Sequence, residues 1–179
     1  MSIKTVVTYS CIIFSIIILI ISLATNYWHE YEIPDGKTPL TVTYFNVGLF
    51  EKCTEIHYRW GWHNTTVEDL GCEDYEPPLS LDDWEMRRDT LVVMFVLAVI
   101  FTLISFIFIT VYCATGKYYF PVGRTAICFI LAAICVMIGL IVYTNTFINH
   151  DVAFSWSYGA GWSAIAMYII TTILIYADK

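Results

Sequence analysis

Charge is the scarcest property of this chain. Only 14% of its 179 residues are Asp, Glu, Lys or Arg, where a soluble globular domain carries roughly 25%. The deficit is uneven, because stretches 6–24, 91–114, 126–147 and 156–177 hold no charged residue at all. Intramembrane carboxylates, the usual mark of a proton or ion relay, are therefore missing from all four. Also missing are a glycine-rich phosphate loop, a Gly-x-Ser-x-Gly elbow and a His-x-x-x-His pair. Their absence removes the signatures of nucleotide hydrolysis, serine nucleophiles and zinc peptidases. No catalytic residue, cofactor or metal site is expected, since among the histidines only His57 and His63 approach a ligand-like spacing. With a net charge of −7, nucleic acid is not an expected partner.

What is present in place of charge is length. Each uncharged stretch is about 18 residues or more, enough at 1.5 Å per residue to cross a hydrocarbon core of roughly 30 Å. Only helices and closed barrels satisfy their backbone in lipid, and these stretches show no strand-like polar alternation. They predict four transmembrane helices over about 6–25, 91–114, 125–148 and 156–177, in one domain spanning residues 1–179. Lys4 and the small-x-small sequence Ser22-Leu23-Ala24 also suit a cleaved signal peptide. The first apolar core is longer than the roughly 7–15 residues of such a peptide, so a helix is the preferred reading.

The long loop 26–89 separates the first two helices. So short a chain buries too little apolar surface to fold unaided. It holds Cys53 and Cys72, and a bridge between them would close a loop of about 20 residues, worth roughly 3 kcal/mol. Residues 40–50 alternate in polarity and are rich in Thr, Val, Tyr and Phe, which predicts a strand. Residues 28–33 predict a second, ended by a turn at Pro34-Asp35-Gly36, and a third short strand is placed at Gly71-Cys72. Pro77-Pro78 breaks the chain, and residues 80–83 resemble a capped start to the second helix. Fourteen acids face five bases in this loop, a balance of −9, so the acidity of the whole chain resides there. Such a surface stays solvated, and it attracts cations or basic partners.

Sidedness follows from three signals. Asn64-Thr65-Thr66 is a glycosylation acceptor usable only in the secretory lumen. Cys53 and Cys72 would be oxidised in that same compartment. Lys4, Lys117, Arg124 and Lys179 lie on the opposite side, as the positive-inside rule asks. Loop 26–89 is thus expected outside, with both termini in the cytoplasm. Tyr27, Trp28, Trp84, Trp156 and Trp162 are expected as an outer interface belt, and Tyr112, Tyr118, Tyr119 and Tyr176 as an inner one. Cys113, near the inner end of the second helix, is a candidate for palmitoylation. Cys11, Cys128 and Cys135 read as small core residues. Ser157-x-x-x-Gly161 and Ala160-x-x-x-Ala164 would let helices approach closely within the bundle.

Trp28, Gly48-Leu49-Phe50-x-x-Cys53, Cys72 and Arg88 together resemble the signature of the claudin superfamily. That group includes claudins, peripheral myelin protein, epithelial membrane proteins, lens fibre membrane intrinsic protein and calcium-channel gamma subunits. Residues 23–28, the run Phe154-Ser155-Trp156-Ser157-Tyr158 and the third-helix sequence extend the likeness over most of the chain. The resemblance implies an all-α four-transmembrane-helix bundle carrying a small extracellular, disulfide-stapled antiparallel β-sheet. In it Trp28, Gly48, Leu49, Phe50 and Arg88 would anchor the loop: Gly48 by allowing close backbone approach, Leu49 and Phe50 by packing into the helix ends, Trp28 by burying its ring while its N–H finds an acceptor. Arg88 would stay wet or pair with loop acids or carbonyls.

This sequence departs from the family pattern in three places. Phe50 stands where a tryptophan is usual, the interval between the cysteines is long and holds Trp60-Gly61-Trp62 with the Asn64 sequon, and the chain ends at Tyr176-Ala177-Asp178-Lys179 without a scaffold-binding tail. These departures point away from tight-junction strands and toward the myelin, epithelial and lens branch. The implied function is non-enzymatic: cell–cell contact, junction or membrane organisation at the plasma membrane, with Phe45, Trp60 and Trp62 as candidate partner contacts. Expected partners are membrane lipids and lateral or facing membrane proteins, either further copies or channel and receptor subunits. The alternative is an auxiliary, gamma-like subunit that modulates a channel or receptor, and a less favoured one is a paracellular cation pathway or barrier.

Overall fold

A computed structural model of the chain describes residues 3–34, 41–60, 64–75, 83–115, 122–148 and 152–177. Helix α1 (Ile3–Ala24) leads into strands β1 (His29–Pro34), β2 (Thr41–Val47), β3 (Glu51–Trp60) and β4 (Asn64–Asp74). Helices α2 (Trp84–Thr115) and α3 (Val122–Phe147) follow, then the two-residue strand β5 (Ala153–Phe154) and helix α4 (Trp156–Ala177). All four helices are long and apolar enough to cross a membrane.

Sorting within the bundle is by size and hydroxyl content rather than by hydrophobicity. Outward side chains such as Ile17, Ile100, Ile134 and Ile173 are as apolar as the buried Leu19, Phe95, Phe129 and Leu140. That pattern suits lipid as the solvent. Inward positions instead collect small and hydroxylated residues: Ser15, Ser22, Thr102, Ser105, Ser157, Ala164 and Thr171 are all buried. Several hydroxyls donate back to the carbonyl four residues earlier, as Ser15 does to Cys11 and Thr102 to Ala98. The Ser157-x-x-x-Gly161 pair serves the bundle. Ser157 is bonded to α1, and a methyl group on Gly161 would meet Leu140 of α3 at 3.0 Å. Cys11, Cys128 and Cys135 are only half-buried.

The sheet runs β4-β3-β2-β1-β5, and all four of its strand pairings are antiparallel. The structure corrects three expectations about it. The strand predicted over residues 40–50 is shorter: β2 stops at Val47, the chain turns through Gly48, and a further strand, β3, begins at Glu51. That further strand was hidden because Glu51, Lys52, Glu55, His57 and Arg59 interrupt any apolar signal. The short third strand at Gly71-Cys72 is an eleven-residue strand, drawn out by pairing with β3. β1 runs one residue further than expected and ends at Pro34, opposite Val42. The proline's missing N–H costs nothing there, because β5 reaches only His29 and Glu30. The remainder of the predicted turn, and the capping residues 80–82, lie outside the described residues.

Helix α2 also begins earlier than the apolar pattern indicated, at Trp84 instead of near residue 91. Its first two turns carry Glu85, Arg87, Arg88 and Asp89. These charges bar that segment from hydrocarbon but not from being helical above it.

Candidate interaction surface

The sheet is seated on the bundle through β1 and β2, and the seat is aromatic. Trp28 is 0% exposed. Its ring centroid lies 4.8 Å from that of Tyr143 and 5.8 Å from that of Phe95, and its Nε1 donates to the Ser22 carbonyl at 2.7 Å. Its backbone N–H donates to Val47, and its carbonyl accepts from Ser155. One residue thus ties α1, β2 and the start of α4 together. The Ser22 hydroxyl donates to the Ser157 carbonyl at 2.8 Å, and the Thr25 and Ser157 hydroxyls lie 2.6 Å apart. The Trp28 and Ser22 hydrogen bonds are buried where water cannot compete, which raises the cost of losing either of them.

Beside Trp28 sits His29, 1% exposed, its Nδ1 2.6 Å from the Tyr143 hydroxyl and its ring 4.3 Å from that of Phe147. As the first residue of β1 it shares the inner face with Tyr31 and is turned into the joint. Trp84 is corrected. Expected in the outer interface belt, it is 2% exposed and packs edge-on against Tyr75 and Phe147. Tyr27, Trp156 and Trp162 are exposed near the sheet end of the bundle, and Tyr176 is exposed at the opposite end of α4. Tyr75, which no sequence signal singled out, is buried under the sheet, and burial pushes its hydroxyl pKa up to about 12, with the neighbouring Tyr31 adding to the effect. Burial raises that of Tyr31 as well, partly offset by Lys52.

The predicted anchors divide at one tight turn. Gly48 donates its N–H to the Glu51 carbonyl. A side chain on Gly48 would meet Asn26 Oδ1 at 2.7 Å and Asn26 Cα at 2.8 Å, so only glycine lets this turn lie against the end of α1. Leu49 points down and is buried. Phe50 does not follow it, against expectation: it is 50% exposed, with the Arg88 guanidinium 6.0 Å from its ring centroid. The turn reverses side-chain direction between the two, so only one can face the helices. Arg88 pairs with its neighbour Asp89 at 3.0 Å, and Arg87 donates to the Thr146 hydroxyl of α3.

Away from the seat the sheet opens to solvent. Cys53 and Cys72 are bonded to each other, directly opposite in the β3–β4 ladder. Asn26 donates to Glu51 and approaches the Cys53 sulfur, which draws the base of the hairpin toward α1. Every β4 residue from Thr66 to Asp74 is exposed. Lys52 pairs with Glu73 at 2.9 Å, and the Tyr58 hydroxyl donates to Glu68 at 3.0 Å, which raises the Tyr58 pKa. Of the candidate partner contacts, Phe45 is half-buried and stacked on Tyr31 at 4.8 Å beneath Lys52, so its ring packs within the sheet's own inner face. Trp60 ends β3 opposite Asn64. The side chains of Trp60, Asn64, Tyr112 and Cys113, and all of Trp62, His63, Tyr118 and Tyr119, lie outside what the structure describes. His57 pairs with Glu55. Among the described residues no cluster of His, Cys, Asp and Glu could hold a metal ion.

No curated protein matches this chain. The family model described as PMP-22/EMP/MP20/Claudin matches residues 1–175. Four apolar helices, the small antiparallel sheet, the Cys53–Cys72 bridge and the seat built on Trp28, Gly48 and Leu49 agree with that match, and the chain belongs to the PMP-22/EMP/MP20/Claudin family of tetraspan membrane proteins.

Proposed function

We propose that this protein is a non-enzymatic component of the plasma membrane, with both termini cytoplasmic, and that its outer sheet acts in cell–cell contact, junction or membrane organisation. The observation that carries this reading is the division of labour within the sheet. One half is locked to the bundle by buried aromatics, while the β3–β4 hairpin stands clear with a stapled base and exposed side chains. A surface held rigidly above a membrane loses little entropy when a facing or lateral partner binds it. The disulfide supports an exoplasmic sheet, as do the Asn64 sequon and the placement of Lys4, Lys117, Arg124 and Lys179 in the short segments of the other side.

Tagged protein expressed in a mixed population of expressing and non-expressing cells tests the reading. Accumulation at borders between two expressing cells, or between an expressing cell and one partner cell type, is the expected result. Uniform surface distribution together with recovery of one large channel at fixed stoichiometry would replace it with the auxiliary-subunit role. Digestion with a peptide N-glycosidase should shift the wild-type band and leave Asn64→Gln unshifted.

A further inference from the structure

We propose that the open edge of β4 takes up an extended, lysine- or arginine-bearing segment of a partner protein as an additional strand of the sheet. The inference deepens the contact function proposed above and rests on it. β4 is the last strand in the order β4-β3-β2-β1-β5, so its far edge has no strand beside it among the described residues. An open edge presents a row of backbone N–H and C=O groups ready to pair with another chain. On the opposite side β5 covers only His29 and Glu30 of β1, which leaves residues 31–34, a shorter run that ends in Pro34.

Register decides which chain fits. Residues opposite each other in the ladder share a face. Glu51 opposes Asp74 and Glu55 opposes Asp69, which places these four acids on one face. Glu73 opposes Lys52 and Glu68 opposes Ile56, on the other. The edge is therefore acidic above and below, and among the described residues the Lys52–Glu73 ion pair relieves one of its charges. A second copy's β4 would bring acids against acids, which disfavours strand pairing between copies. A cationic segment meets complementary charge on both faces, with Val67, 56% exposed and on the same face as Asp69, as an apolar contact.

The length of the dock is also set by the fold. Leu70 has no partner in β3, because Thr54 pairs with Gly71 and Glu55 with Asp69. Gly71 adopts φ 84° and donates its N–H to the Asp69 carboxylate at 2.7 Å. This bulge bends the edge there. A straight run remains over residues 64–69, about the length of an ordinary strand.

The test uses the full-length protein in lipid nanodiscs and a labelled twelve-residue peptide of repeating Lys-Lys-Val-Val, which carries lysine on both faces when extended. A second peptide of the same sequence, N-methylated at successive amides so that both of its edges are blocked, keeps the charge but cannot pair as a strand. Binding of the first peptide should slow amide exchange within residues 64–69, and affinity should fall about tenfold or more for the methylated peptide. A variant combining Glu68→Gln, Asp69→Asn, Glu73→Gln and Asp74→Asn should lose affinity to a similar extent. Equal binding of the two peptides, no binding, or protection confined to other residues would overturn the proposal. If that happens while the fourfold variant still gathers at cell borders, the contact function stands and only the edge-strand mode falls.

Discussion

The two hairpins of the sheet are held in opposite ways. β1 and β2 lie on the bundle, and their inner face buries His29 and Val47 and half-buries Tyr31 and Phe45 against helix-end aromatics. β3 and β4 leave the seat at Gly48, and their described side chains are exposed or at most half-covered. Burial stabilises the first hairpin, whereas the Cys53–Cys72 bridge constrains the second. A membrane protein can thus keep a charged, water-facing strand pair without giving it a core of its own.

Substitutions that break this contrast should fall in a clear order. Trp28→Ala should be the most damaging, costing about 3–5 kcal/mol for the lost aromatic and leaving the Ser22 carbonyl without its donor. Thermal unfolding in nanodiscs should show the loss across helices and sheet together. Replacing Cys53 and Cys72 by serine should cost roughly 3 kcal/mol, but amide exchange should rise only in β3 and β4 while the bundle's melting stays near wild type. A rise across the whole chain would show that the hairpin supports the seat as well. Gly48→Ala should cost about 1–3 kcal/mol, because the new methyl group meets backbone atoms of Asn26 that cannot swing aside.

An alkaline titration sharpens the same boundary. The Tyr75 hydroxyl titrates near 10 when unfolded and at about 12 in the folded protein. The folded form therefore holds a proton that the unfolded form has lost between those values. This contribution is intact below pH 10 and disappears as pH rises through about 12. Wild type should lose stability over that window more steeply than Tyr75→Phe, and parallel curves would place Tyr75 outside the seat. The smallest effect is expected at Phe50→Ala, within about 0.5 kcal/mol, since half of that ring already faces solvent or lipid.

Much of the seat is legible in the residues themselves. The roles of Trp28 and Gly48 follow from what an indole N–H and a missing Cβ can do beside a membrane, and both are met in detail. Leu49 and Phe50 could not be separated, because both are apolar and the direction of each is set by a turn with no marker of its own. Strand β3 escaped for a related reason: its alternate residues are charged or aromatic, and its pairing on both sides comes from β2 and β4 rather than from its own periodicity. His29 and Trp84 look like surface residues in any local window. They became core when β1 and the first turn of α2 were brought over Tyr143 and Phe147.

Local chemistry alone therefore settled the solvent of each segment, since a run of uncharged residues long enough to span hydrocarbon has few other places to go. It also determined the number of crossings and the identity of the residues able to make a tight approach or a covalent staple. Tertiary packing decided which face of each element is inside, where strands part and pair, and which edge stays open. Those properties depend on neighbours distant in the chain, and no window of sequence contains its own neighbours.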